Sequence, residues 1–319
     1  MSDAAVIQGL RQQLESVIVG QTALLDRLVV ALVAGGHVLL EGPPRLAKTT
    51  AVHALASSAS ASFQRIQFTP DLMPGDLTGS EIYEPAGGFR FVPGPLFHEI
   101  VLADEINRAP PKVQSALLEA MAEHQITVAG RTHRLPELFM VLATQNPLEQ
   151  SGTYPLPEAQ LDRFLFHVVL DYPSVEEEIE SARRARRATE GHVEEAVQGV
   201  IAPSQILAFR RRIQDVYVEP TVERYAVELV AATRDPGRYR PEWHGRVLAG
   251  ASPRGSIALL RAAMARAWLA GRDYVLPDDL ITLAPDVLRH RLVLDFGAEA
   301  EGLTAGTIVQ GLLEAVPAP

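Results

Sequence analysis

Up to residue 190, short apolar runs alternate with longer helical stretches: "HVLLE" (37–41), "QRIQF" (64–68), "EIVLA" (99–103), "LFMVLAT" (138–144) and "FLFHVVL" (164–170). Runs that short, separated by helices, predict strands of a parallel sheet covered on both faces. The expected fold class is therefore α/β, a doubly wound sheet of five strands. The apolar window from Leu28 to Leu40 is interrupted by Gly35, Gly36 and His37. It reads as a helix end followed by a buried strand, because a membrane-spanning helix needs roughly 20 apolar residues.

From Pro203 onward the strand-like runs stop and helix signals take over. Ser252 and Pro253 open one helix, Gly271 closes it, and Pro277 with Asp278 and Asp279 opens the next. The division expected is a domain at 1–195 and an all-helical domain at 196–319, with a linker near Thr189 to Ala202. A chain of 319 residues is long for one core and suits two.

Two segments depart from plain strand and helix alternation. "SEIYE" and "FRFV" flank Gly87 and Gly88, and "QITV" and "RTHRL" flank Ala129 and Gly130. Both are β-hairpin signatures. Neither hairpin is needed to complete the sheet, so both are candidate projections toward a partner.

Composition narrows the function classes. Hydrophobic residues make up 47% and charged residues 21%, ordinary for a chain with a sizeable core. With 29 Lys and Arg against 39 Asp and Glu, the formal charge of −10 disfavours nonspecific nucleic-acid binding. There is no cysteine, which excludes disulfides and thiolate chemistry and fits a reducing, cytoplasmic setting. The start "MSDAAVIQGLRQQLE" has the character of an amphipathic helix and not of a secretory leader. The basic run "RRARR" (183–187) follows Glu176 to Glu178 on one helix, an order the helix dipole favours, with Glu180 placed to pair with Arg184.

Candidate chemistry begins at "LLEGPPRLAKTT". A glycine-rich turn between a buried strand and a helix points backbone N–H groups at phosphates. Here Gly42, Pro43, Pro44, Arg45, Leu46 and Ala47 form the turn, and Lys48, Thr49 and Thr50 open the helix. Lys48 would neutralise β- and γ-phosphates while Thr49 offers a hydroxyl to Mg²⁺. The spacing matches G-x-x-x-x-G-K-[ST] except that Ala47 replaces the second glycine. Downstream, "IVLADE" ends an apolar strand with Asp104 and Glu105. Asp104 is expected to hold the magnesium shell, and Glu105 to polarise a water for in-line attack. Asn146 follows the next apolar strand and can orient that water or touch the γ-phosphate; taken alone, an Asn before proline is more often a turn former, but its place on the next strand of the series favours function.

The ordered strings "EGPPRLAKT", "VLADEINRAPPKVQSALLEAM", "ATQNPLEQSGTYPLPEAQLDRF" and "GASPRGSIAL" resemble the MoxR family of AAA+ ATPases over essentially the whole chain. The resemblance implies an AAA+ P-loop αβα core with a helical lid. It also implies ATP and Mg²⁺ as cofactors, assembly into a ring, usually a hexamer, and chaperone-like action on partner proteins, often ones with von Willebrand factor A domains. It further implies that Arg163 in "LDRF" is an arginine finger for a neighbour's γ-phosphate, that Arg254 in "SPR" is the sensor-2 arginine, and that Gln21 lies beside the adenine. Arg163 could instead pair with Asp162 or Glu158. Arg254, a cation in a first helical turn, calls for a negative partner. The two hairpins correspond to insertions that face the ring axis or a substrate, with Tyr83, Phe89, Phe91 and Arg131 expected at the surface; packing of the aromatics onto the domain is the alternative.

One residue departs from the family's usual "GxPGxAKT": Arg45 stands where glycine is expected. A side chain held in a left-handed conformation costs roughly 1–3 kcal/mol. Fully transmitted, that is about one to two decades in affinity. The remaining machinery is complete, so nucleotide binding with altered affinity is expected. A nucleotide-dependent scaffold with little hydrolysis is the alternative, and a nucleic-acid motor is a third reading that the acidic balance disfavours.

Overall fold

The computed structural model describes residues 3–43, 48–85, 88–146, 152–189 and 199–319. The chain forms two compact units, one from residues 1–156 and 168–208, the other from 157–167 and 209–319.

The first unit begins with helices α1 (Asp3–Val17) and α2 (Thr22–Ala34). Gly35 ends α2 in a left-handed conformation, φ 72°, with its N–H bonded to Ala31 O. Strand β1 (Val38–Glu41) follows, so the helix-then-strand reading of the Leu28–Leu40 window holds. His37 stays outside the strand. Its Nδ1 accepts from the Val141 N–H at 3.0 Å, and its Nε2 lies 3.3 Å from Met121 O, so the imidazole satisfies two backbone groups at the strand's entry.

After β1 come α3 (Lys48–Ser58), β2 (Phe63–Gln67), the short α4 (Pro74–Thr78), β3 (Gly79–Glu84) and β4 (Gly88–Pro93). Next are β5 (Ile100–Asp104), α5 (Pro111–Glu123), β6 (Gln125–Val128), β7 (Arg131–Arg134), β8 (Met140–Gln145), the single turn α6 (Glu158–Leu161), β9 (Phe166–Val169), α7 (Val175–Thr189) and α8 (Pro203–Ile213). Five strands make one parallel sheet in the order β2-β5-β8-β1-β9, the five expected from the apolar runs. Residues 38–40, 101–103 and 140–143 are fully buried, which is why these stretches are apolar at successive positions instead of alternating. The register sets Glu41 beside Gln145 and Gln67 beside Asp104, so the carboxyl ends of four strands share one edge.

Both hairpins are present as separate antiparallel pairs, β3 with β4 and β6 with β7. Ala129 and Gly130 both take positive φ, 48° and 78°, as a tight two-residue turn demands. Gly87, expected in the other turn, lies outside the described residues. Glu180 and Arg184 pair on α7 at 3.3 Å, as the charge order of that helix suggests.

The second unit contains α9 (Pro220–Ala232), β10 (Val247–Ala249), α10 (Pro253–Leu269), α11 (Pro277–Leu288), β11 (Val293–Leu294), α12 (Phe296–Ala300) and α13 (Ala305–Ala315). Ser252 caps α10 by accepting from the Arg254 N–H, and Pro277 opens α11. The all-helical expectation needs one correction: β10 and β11 form a short antiparallel ladder. "VLA" and "VL" are too brief to register as strands, and pairing partners so far apart in sequence leave no local signal. Among the described residues no helix is long and apolar enough to cross a membrane.

Candidate functional site at the carboxyl edge of the sheet

Gly42 leaves β1 pressed against the residue that follows β9. A Cβ at Gly42 would meet Leu170 O at 2.6 Å, so only glycine allows this approach. Pro44, Arg45, Leu46 and Ala47 lie outside the described residues. On the far side of that gap, α3 starts at Lys48 with Thr49 and Thr50 in its first turn, N–H groups leading.

Lys48 folds back over the loop's entry. Its Nζ donates to Gly42 O at 2.6 Å and to Gln145 O at 3.5 Å, joining the ends of β1 and β8. Burial pushes its pKa down, against the pull of Asp104, Glu41 and Glu105, which raise it. A cation that is partly desolvated and ringed by carboxylates is primed for a more strongly negative ligand.

The acidic pair at the end of β5 is held from several sides. Thr144 Oγ1 donates to Asp104 Oδ1 at 2.6 Å, and Arg65 pairs with Asp104 Oδ2 at 2.5 Å. Glu105 takes a left-handed conformation, φ 57° and ψ 51°, that costs a non-glycine residue about 1–3 kcal/mol. Its N–H donates to Thr144 Oγ1 at 2.8 Å. Its Oε2 accepts from Gln67 Nε2 at 2.8 Å and pairs with Arg108 Nε at 3.0 Å. The backbone turn sends the two neighbouring carboxylates in different directions, which an extended strand end would also do, but it fixes Glu105 with respect to β8 as well. Gln114, fully buried on α5, buttresses the next residues through Nε2 bonds to Ile106 O, Ala109 O and Tyr154 O.

Asn146 is buried directly after β8, at the same edge. Gln21 precedes α2 and is half-buried; its backbone O accepts from Leu25 N, and its side chain does not cap the helix. Thus Gly42, Lys48, Asp104, Glu105 and Asn146 share the edge, whereas Arg163 and Arg254 belong to the second unit. Arg163 sits after α6. Its neighbour Asp162 is engaged by Arg291 at 2.7 Å and by Ser252 Oγ at 3.2 Å. Arg254 is exposed in the first turn of α10, and its guanidinium makes no ion pair among the described residues, contrary to the negative partner expected.

Sequence reasoning missed Arg65, Gln67, Arg108 and Thr144. Arg65 and Gln67 alternate on β2 and so share a face, the one readable hint that both reach the same neighbours.

The oxygen donors fit a magnesium ion. Thr49 offers a hydroxyl and Asp104 a carboxylate, both hard oxygen donors, and no cluster of three His, Cys, Asp or Glu exists among the described residues. That sparse set suits Mg²⁺, whose shell is normally completed by phosphate oxygens and water.

The hairpins divide the expected aromatic contacts. Tyr83 and Phe89 face each other across β3 and β4, rings 5.4 Å apart, 65% and 67% exposed. Arg131 is exposed on β7 and lies 3.9 Å from Glu81. Phe91 is a correction. It is half-buried, stacked on His133 at 3.8 Å with Phe97 edge-on: it shares a face of β4 with Phe89 but lies two residues further from the turn, where His133 of the second hairpin covers it.

Residues 37–166 match the model of the ATPase family associated with various cellular activities (AAA), and residues 244–312 match an AAA lid domain. The chain is 47% identical to the uncharacterized protein YeaC of Bacillus subtilis, covering 97% of this chain and 93% of that one. It is 43% identical to chaperone MoxR1 of Mycobacterium tuberculosis, over 96% of this chain and 81% of that one. A provisionally named ATPase from Cytophaga hutchinsonii superposes with a TM-score of 0.91 at 44% identity, covering 99% and 96% of the two chains.

Proposed function

Because the chain belongs to the MoxR family of AAA+ ATPases, we propose that it hydrolyses ATP at the sheet edge and uses the cycle to remodel or mature partner proteins. The observation that carries this reading is Glu105, held in a strained backbone conformation by Thr144 and aimed by Gln67 and Arg108, on the same edge as Lys48.

Lys48 trades its carbonyl partners for the β- and γ-phosphate oxygens, and the N–H groups of the first turn of α3 face the same oxygens. Thr49 and Asp104 would hold magnesium, which would supply positive charge against the phosphate oxygens. Glu105 accepts a proton from the attacking water while Asn146 orients it. Arg163, supplied by a neighbouring subunit, and Arg254 stabilise charge on the transferring phosphoryl group. Gln21 belongs beside the base. The active form is a ring, a hexamer by family resemblance, working in the cytoplasm on protein clients that include von Willebrand factor A domain proteins. The exposed Tyr83–Phe89 pair is the client-facing element.

A trans-acting arginine makes activity depend on assembly. Specific turnover is expected to rise cooperatively with protein concentration; activity that stays at background at all concentrations supports the second reading, a nucleotide-dependent scaffold, for which Arg45 is the motive.

A further inference from the structure

Residues 157–167, which carry Arg163, belong to the same compact unit as α9 to α13. A buried ion pair fastens them there. Arg291 has a side chain only 3% exposed, and its Nε donates to Asp162 Oδ1 at 2.7 Å. Its Nη2 donates to Phe164 O at 2.8 Å and Asp162 O at 3.2 Å, while Nη1 reaches Val287 O on α11. One guanidinium therefore holds the carbonyls of both residues that flank Arg163. His290 lies alongside, Nε2 3.1 Å from Phe164 O. Burial and the neighbouring Arg291 drive its imidazole well below its ordinary pKa, so it is neutral and adds no repulsion. The second oxygen of Asp162 accepts from Ser252 Oγ at 3.2 Å, and that hydroxyl also caps the Arg254 N–H.

Burying an ion pair is seldom the most stable way to fill a core, since well-packed apolar residues often do as well. What this pair supplies is geometry: the carbonyls of Asp162 and Phe164, on either side of Arg163, are pinned to Arg291 just beyond α11, and the Asp162 carboxylate is tied to Ser252 at the start of α10. An arginine that must meet a phosphoryl group on another subunit needs that backbone fixed to a fraction of an ångström.

We propose that Arg291 and Asp162 are positioning residues for Arg163, setting the aim of the arginine that acts in trans. The proposal rests on the reading of Arg163 given above, and the test separates the two.

Asp162→Asn and Arg291→Lys subunits are assayed for ATP turnover, for binding of a fluorescent ATP analogue, and for turnover after mixing with Lys48→Ala subunits. The Lys48→Ala subunits bring an intact Arg163 but no nucleotide of their own. The expected result is a loss of turnover of about 10- to 100-fold in each variant. Analogue affinity is retained, and turnover returns on mixing, because each variant site then receives a well-placed arginine from its neighbour. Wild-type turnover in both variants overturns the proposal, and so does a loss that mixing does not restore. If Asp162→Asn lowers the thermal midpoint enough to unfold the protein, Arg291→Lys, which keeps the charge, decides alone. Failure of the underlying reading shows elsewhere: Arg163→Ala subunits would then turn over like wild type.

Discussion

Gln67 Nε2 donates to Glu105 Oε2 at 2.8 Å, so the edge strand β2 grips the carboxylate that ends β5 from across one strand spacing. Arg108 holds the same oxygen at 3.0 Å, so two side chains fix the direction of this carboxylate. Glu105→Gln is therefore expected to lower turnover by about 10²- to 10⁴-fold while nucleotide still binds. Gln67→Ala, which loosens the aim without removing the base, is expected to cost about tenfold in kcat at unchanged KM. Coupled phosphate release and analogue titration measure both. Retention of full turnover by Glu105→Gln rejects its role as the base.

Lys48 is expected to make nucleotide affinity fall as pH rises. In the free protein burial depresses its pKa from 10.5, and the carboxylates offset this only in part. A bound triphosphate adds negative charge and raises that pKa, so the complex carries more protons than its separated parts. Affinity is thus full below the lowered pKa of the free protein and declines above it. Lys48→Arg, whose side chain does not titrate in this range, is expected to flatten the profile. Isothermal titration from neutral pH to about pH 10 checks the slope; equal slopes for the two proteins dismiss Lys48 as its source.

Much of this edge was legible in the sequence because parallel strands buried on both faces are apolar until they reach the sheet's rim, and "VLLE", "IVLAD" and "MVLATQ" turn polar only at their carboxyl ends. Lys48, Asp104 and Glu105 could be placed by counting from those strands. The grip on the acidic pair was not legible. Gln67 and Glu105 meet through sheet register, 38 residues apart, and Arg65 meets Asp104 at a separation of 39. The left-handed turn at Glu105 carries no glycine to announce it. Asp162 and Arg291 are 129 residues apart, and neither sits in a recognisable pairing pattern, so their contact exists only once the second unit is folded. The choice between exposure and packing for Phe91 was not legible for a related reason: alternation puts it on one face with Phe89, and His133, which covers it, belongs to a different hairpin.

Asp279 should make the second unit acid-sensitive. It is fully buried at the start of α11, bridged by Arg266 at 2.5 Å and Arg272 at 2.7 Å, and its Oδ2 accepts from the Leu276 N–H at 2.8 Å. Desolvation pushes its pKa up, but the bonds from Arg272, Leu276 and Arg266 outweigh it and leave the pKa below 3.8. A depressed folded-state pKa contributes stability that is complete above the unfolded value and is lost as pH falls through the folded one. Asp279→Ala is expected to cost about 3 kcal/mol at neutral pH, because two arginines lose their partner. Asp279→Asn should shrink the loss of stability below pH 3.8, the window its pKa defines. Urea unfolding at neutral and acidic pH measures both, and an Asp279→Asn protein with the wild-type acid profile excludes this carboxylate.

Arg45 sits in the stretch between Pro43 and Lys48 where the family's usual phosphate loop has glycine, so its effect must be read in solution. Two forces oppose each other there. A left-handed backbone at a residue with a Cβ costs about 1–3 kcal/mol, which loosens any conformation that brings the loop's N–H groups to the phosphates. A guanidinium brought to a triphosphate is attractive, a gain of about 0–1 kcal/mol where solvent and salt screen it. The conformational cost is the larger, so Arg45→Gly is expected to tighten ATP binding by about tenfold. Raising the salt concentration discriminates further: it should weaken binding to wild type more than to Arg45→Gly, because only the former uses the extra charge. If Arg45→Gly binds no more tightly than wild type at any salt concentration, the loop at this position does not require a left-handed residue, and Arg45 serves as an additional phosphate contact.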